Sequence, residues 1–83
     1  MNREDIRSTV ITSLKTIAPE ADPAALAPSA DLRDALDIDS MDFLRFVVSL
    51  HERLHVDIPE RDYAKIRTLG TCVSYLEAKL AAV

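Results

Sequence analysis

Apolar residues recur along the first part of the chain at Ile6, Val10, Leu14 and Ile17, a spacing that draws one stripe down a helix over about residues 3 to 17. Pro19 marks its end. Residues 18 to 39 lose this periodicity and hold Pro19, Pro23 and Pro28 with Asp22, Ser29, Asp31 and Asp34. That pattern predicts a long surface connection, pinned by Leu26, Leu32 and Leu36. Loops above about 12 residues are uncommon in compact domains and are often functional, so this one is expected to carry the site.

Periodicity returns at Asp39. Asp39 is a good N-cap and Asp42 places a carboxylate in the positively polarised first turn, so a second helix is expected from Asp39 or Ser40 to about His55. At 100° per residue, with Asp42 at 0°, Phe46, Leu50, Phe43, Leu54 and Val47 fall between about 40° and 140°, the width of a core face. Leu44, Val48 and Met41 form a second apolar lobe between about 200° and 260°, beside His51 and His55. Two readings of that lobe stay open: it packs under the long loop, or it is an exposed stripe for a partner. Asp42, Arg45, Ser49, Glu52 and Arg53 occupy the polar arc. Ile58-Pro59 then breaks the chain, Pro59 and Glu60 suit the opening of a short third helix reaching Ile66, and Thr68 can cap a last helix with Leu69, Val73, Leu76 and Leu80 in its stripe. The prediction is an all-α bundle of three main helices, one short helix and a long first loop. Strand signals, repeats and a glycine-rich phosphate loop are missing from the sequence.

Length changes this picture little: 83 residues make one domain, residues 1–83, with one small core and little depth for an active-site cleft. Charge changes it more. The formal net charge is −4, but residues 31 to 62 hold nine acids and four arginines, giving −5, and the remaining five acids and six bases give +1. An acidic face of this kind suits basic partner proteins and argues against nucleic acid. Cys72 is the single cysteine, so no intrachain disulfide forms, and the N-terminal segment resembles neither a signal peptide nor a membrane span. A monomer in the reducing cytoplasm, away from membranes, is expected. Cys72 is read as a small buried hydrophobe and Tyr63 and Tyr75 as edge-of-core residues with wet hydroxyls.

The segment Leu36-Asp37-Ile38-Asp39-Ser40-Met41-Asp42-Phe43 resembles the signature of acyl carrier proteins, in which Asp-Ser followed by Leu or Met opens the second helix of a four-helix bundle. Val56-Asp57-Ile58-Pro59-Glu60 and Lys65-Ile66-Arg67-Thr68-Leu69 resemble the family's third-helix segment and fourth-helix cap at the usual spacing. The resemblance implies that Ser40 is esterified by a phosphopantetheinyl transferase and carries acyl groups on a 4'-phosphopantetheine arm, with Asp39 supporting that transfer. It implies delivery to acyl-transferring and condensing enzymes of fatty-acid, polyketide or related biosynthesis, and a chain that is a carrier rather than an enzyme. It also implies that an attached acyl chain folds back near Phe43, Phe46, Val47 and Leu50. Asp37 stands where the family usually has glycine; aspartate is among the few other residues that enter the left-handed region at moderate cost. The partner surface is expected on Met41, Asp42, Leu44, Arg45, Val48 and Glu52, with Arg45 standing where an acid is common.

Three other patterns compete. His51-Glu52-Arg53-Leu54-His55 spells the H-E-x-x-H zinc protease motif, with Glu52 as general base and Asp57, Glu60 or Asp62 as a third ligand. The domain has little from which to build the required cleft, and solvated surface histidines are the alternative. Asp37-x-Asp39-x-x-Asp42 begins like a calcium loop but then places Met41, Asp42 and Val48 where a ligand, the glycine and the bidentate glutamate belong. An unmodified helical adaptor using the same acidic face and second lobe is the remaining alternative.

Overall fold

The computed structural model describes residues 1–81 and shows four α-helices with two 3₁₀ segments: α1 (Arg3–Ile17), α2 (Leu32–Leu36), α3 (Ser40–Leu54) and α4 (Leu69–Ala81), with 3₁₀ turns at Pro23–Ala25 and Glu60–Ile66. No strand occurs among the described residues, where Asp31 and Thr68 form an isolated bridge pair. The radius of gyration is 11.5 Å, close to the roughly 12 Å expected for a chain of this length.

The helix ends follow from their caps. Asn2 starts α1 with a reciprocal capping box, its Oδ1 accepting from the Asp5 N–H at 2.8 Å and its own N–H donating to Asp5 Oδ2 at 3.3 Å. These bonds satisfy orphan N–H groups of the first turn. Asp39 caps α3 by accepting from the Asp42 N–H at 2.9 Å. Thr68 does the same for α4 through the Thr71 N–H at 3.2 Å. The apolar stripes then meet: α1 packs against both α3 and α4, and the Glu60–Ile66 segment packs on α4. Ile6, Val10 and Leu14 of α1, the predicted five-residue face of α3, and Leu69, Val73 and Leu76 of α4 are all buried in one core. Cys72 joins it, with burial pushing its thiol up to about 12.

Two expectations need correction. The connection 18–39 is not bare loop, because Asp31 accepts from the N–H groups of both Arg33 and Asp34 (3.0 and 3.2 Å) and so starts α2, whose Leu32 and Leu36 enter the core. The short third helix stands where it was expected, over Glu60–Ile66, and is 3₁₀ in form. Ser49, assigned to the polar arc of α3, instead faces α1, where its hydroxyl donates to the fully buried Ser13 Oγ at 3.1 Å and satisfies that hydroxyl. The second lobe, by contrast, is settled as exposed: Met41 is 63%, Leu44 42% and Val48 46% accessible.

Asp37 ends α2 at φ 53° and ψ 48°, in the left-handed region. This bears out aspartate as a workable replacement for glycine at the turn into α3. A residue with Cβ in that region costs about 1–2 kcal/mol, and least for Asp and Asn. Urea unfolding is expected to show Asp37→Gly as stable as the wild type or up to about 1 kcal/mol more stable, and Asp37→Val less stable by about 1–2 kcal/mol. Equal midpoints for the two variants would mean that the turn is not held left-handed.

Candidate functional site

The site is assembled where the connection 18–39 meets the start of α4. The Gly70 N–H donates to Pro28 O at 2.9 Å, and a Cβ on Gly70 would stand 3.2 Å from that same oxygen, so glycine permits the close approach. The Leu32 N–H donates to Arg67 O at 2.7 Å, and Arg67 Nη2 pairs with Asp31 Oδ2 at 2.7 Å. The N–H of Asp34, the Arg67 guanidinium and the N–H of Arg33 together hold the Asp31 carboxyl below the usual carboxylate range. These ties fix α2, and the left-handed Asp37 then turns the chain so that Ser40 opens α3 within reach of α2.

Ser40 is exposed, and its Oγ accepts a hydrogen bond from Arg33 Nη2 at 3.1 Å. The first-turn N–H groups of a helix lack intrahelical partners and the helix dipole is positive there, which favours an anionic group on this hydroxyl. Beside it lies a groove of about 390 Å³ lined by Phe43, Leu44, Tyr63 and Ala64 with Arg33, Arg67 and Glu60 at its polar edge. The Tyr63 ring stands edge-on to Phe43 at 6.1 Å. Phe46, Leu50 and Val47, expected near a folded-back acyl chain, are packed in the core, and Phe43 alone of the four borders the groove.

The structure gathers the expected partner residues on one side of α3. Met41, Leu44, Arg45, Val48 and Glu52 line a shallow groove together with Thr16, Ile17, Ser49 and Arg53. Asp42 lies 3.8 Å from the Arg45 guanidinium, whose side chain is 71% exposed. Arg45 is therefore held only loosely and its charge faces solvent.

The zinc reading fails on geometry. His55 lies beyond the helix in the left-handed region, at φ 54°, so the two imidazoles do not stand one turn apart on a helix face. Both histidines are exposed on the surface, and the His51 Nδ1 lies 2.7 Å from Val56 O. Among the described residues no three His, Cys, Asp or Glu side chains converge as a metal site. Tyr75 also departs from expectation: its hydroxyl donates to Asp62 at 2.6 Å, and burial together with Asp62 pushes the phenol up to about 12. Two residues escaped the sequence reading as parts of the site: Arg33 at the Ser40 hydroxyl, which belongs to no recognised motif, and Arg67 on the same groove, whose segment signals only the cap of the last helix.

Comparisons with known proteins give the family. The family model described as the phosphopantetheine attachment site matches residues 5–76. Relatives include an acyl carrier protein of Thermosynechococcus vestitus, 27% identical over 79 residues that cover 92% of this chain and 98% of that protein. Meromycolate extension acyl carrier proteins of Mycolicibacterium aurum and Mycolicibacterium smegmatis are each 32% identical over 71 residues, covering 82% of this chain and 73% and 72% of those proteins. The chain thus belongs to the phosphopantetheine-binding acyl carrier family. It is a carrier that holds acyl groups for biosynthesis on a 4'-phosphopantetheine arm, and not a catalyst. Family membership brings with it a phosphopantetheinyl transferase and biosynthetic enzymes as interacting proteins.

Proposed function

We propose that Ser40 is the attachment residue, that Asp39 supports the transfer, and that residues 1–83 act as one monomeric carrier domain in the cytoplasm. The observation that carries this reading is the exposed Ser40 hydroxyl at the first turn of α3, with the Asp39 cap behind it and an apolar groove beside it. The bound arm supplies a terminal thiol on which acyl groups are held as thioesters. The chain's own part is to present the hydroxyl, to favour the phosphodiester through the helix N-terminus, and to offer the Phe43, Leu44 and Tyr63 groove to cargo. Among the described residues no helix is long and apolar enough to cross a membrane, which fits delivery to enzymes in the cytoplasm; recovery of the native protein in a membrane fraction would count against that location.

The test uses the buried cysteine. Incubation with coenzyme A and a broad-specificity transferase is expected to add the mass of one arm and to raise the thiols titrated under native conditions from none to one. Cys72 stays silent because it is fully buried and its pKa is raised to about 12. A chain that keeps its mass and its silence towards the thiol reagent is an unmodified adaptor.

Partner choice is assigned to α3. Met41, Leu44 and Val48 form the short-range apolar contact beside Ser40, with Asp42 and Glu52 as the acids of the same surface. Arg45 opposes the basic patch of general fatty-acid enzymes and pairs with an acid on the cognate acyl-transferring or condensing enzyme. A like charge against a partner patch costs up to several kcal/mol in discrimination, although solvent screening at an exposed residue reduces this. Arg45→Glu is expected to improve turnover with a general ketosynthase several-fold and to impair the cognate one. Unchanged kinetics with both enzymes would remove Arg45 as the selectivity element.

A further inference from the structure

Arg33 is fixed at the backbone on both sides. Its N–H is held by Asp31, the neighbouring Leu32 is fully buried in the core, and the Arg33 carbonyl accepts from the Ile38 N–H at 3.1 Å. Its guanidinium nevertheless donates to a neutral hydroxyl, Ser40 Oγ at 3.1 Å, and forms no ion pair among the described residues. Asp31 is engaged with Arg67 and the start of α2, and Asp39 with the Asp42 N–H. A guanidinium gains most from a two-oxygen anion that matches its fork, and far less from one hydroxyl. Esterification of Ser40 would place such an anion at this contact, because the non-bridging oxygens of a phosphodiester lie one atom beyond the oxygen that Arg33 already touches.

We propose that Arg33 clamps the phosphodiester of the arm, acting as a positioning residue that sets the direction in which the arm leaves Ser40. This rests on Ser40 as the attachment residue. With the phosphate held on the α2 side, the arm leaves along the groove of Phe43, Leu44 and Tyr63. Arg67, at the edge of the same groove but tied to Asp31, adds positive potential without competing for the phosphate. Glu60 also lines the groove and repels an anion within it, which leaves the groove to the uncharged part of the arm.

The experiment is phosphorus NMR on the loaded full-length protein, comparing wild type with Arg33→Gln, Arg33→Lys and Arg33→Ala. In the folded wild type the phosphodiester resonance should be displaced and broadened relative to the same protein in urea. Arg33→Gln, which keeps a planar hydrogen-bonding end on a shorter side chain but no charge, should lose most of that displacement and narrow; Arg33→Ala should do the same. Arg33→Lys, a point charge without the fork, should keep part of it, and added salt should reduce the wild-type displacement. Melting of the unloaded variants identifies any that is misfolded, and the comparison then rests on the remaining ones. A loaded Arg33→Gln resonance indistinguishable from wild type overturns the clamp and leaves the attachment reading standing. A wild type that accepts no arm overturns both.

Discussion

Ser40→Ala is expected to abolish arm attachment while leaving the melting temperature within a few degrees of wild type. The substitution removes the only atom to which the phosphate can be joined at this position, so loading with coenzyme A and a transferase should fall to background rather than merely slow. Stability is spared for a specific reason. The α3 start is capped by Asp39, whose bond to the Asp42 N–H does not involve Ser40, and the one hydrogen bond recorded for the Ser40 hydroxyl is to the Arg33 side chain. Exposed hydrogen bonds of this kind contribute about 1 kcal/mol or less, and alanine is the better helix former. Modification that persists in Ser40→Ala would place the arm on another residue and remove α2, Asp37 and the Asp39 cap from the account of the site.

Phe46→Ala is expected to cause the largest loss of stability among single substitutions in α3. Phe46 is fully buried at the centre of the core, with the Phe43 ring tilted against it at 6.0 Å. Truncating a buried phenylalanine costs about 3–5 kcal/mol through lost transfer energy and the cavity left behind. A chain of 83 residues has only about 4–12 kcal/mol of total stability at typical values per residue. The variant should therefore lose from about a quarter to all of its stability and melt at least about 12 °C lower. Met41→Ala and Val48→Ala, which lie on the exposed lobe of the same helix, should shift stability by no more than about 0.5 kcal/mol. If the two groups of variants melted alike, α3 would not bury the face that the structure shows.

The same helix shows why so much of the fold was legible. The apolar face of α3 repeats often enough over 15 residues to separate a core lobe from a second one, and Asp39 and His55 mark its ends by cap chemistry that is local in sequence. The left-handed Asp37 was legible for a similar reason, because the turn needs a backbone that few residue types tolerate. What stayed hidden depends on contacts between elements. A five-residue helix such as α2 is too short to show a period; its signal is Asp31 as N-cap followed by Asp34, which serve equally well in a turn. The Arg33 to Ser40 contact joins two helices across the left-handed Asp37, so no single period carries it and only the angle between α2 and α3 creates it. The Asp31 to Arg67 pair joins residues 36 apart. The proposed attachment residue, Ser40, could be read from the motif, whereas its electrostatic surroundings required the fold.

The central claim is that a transferase finds one serine in this chain. The measurement that tests it most directly is fragmentation mass spectrometry of the wild-type protein after loading, which assigns the added mass to a residue. The account predicts a single arm on Ser40, with Ser8, Ser13, Ser29, Ser49 and Ser74 unmodified. An arm found on any of those serines, or a chain that takes none from a transferase that loads a control carrier, would contradict it.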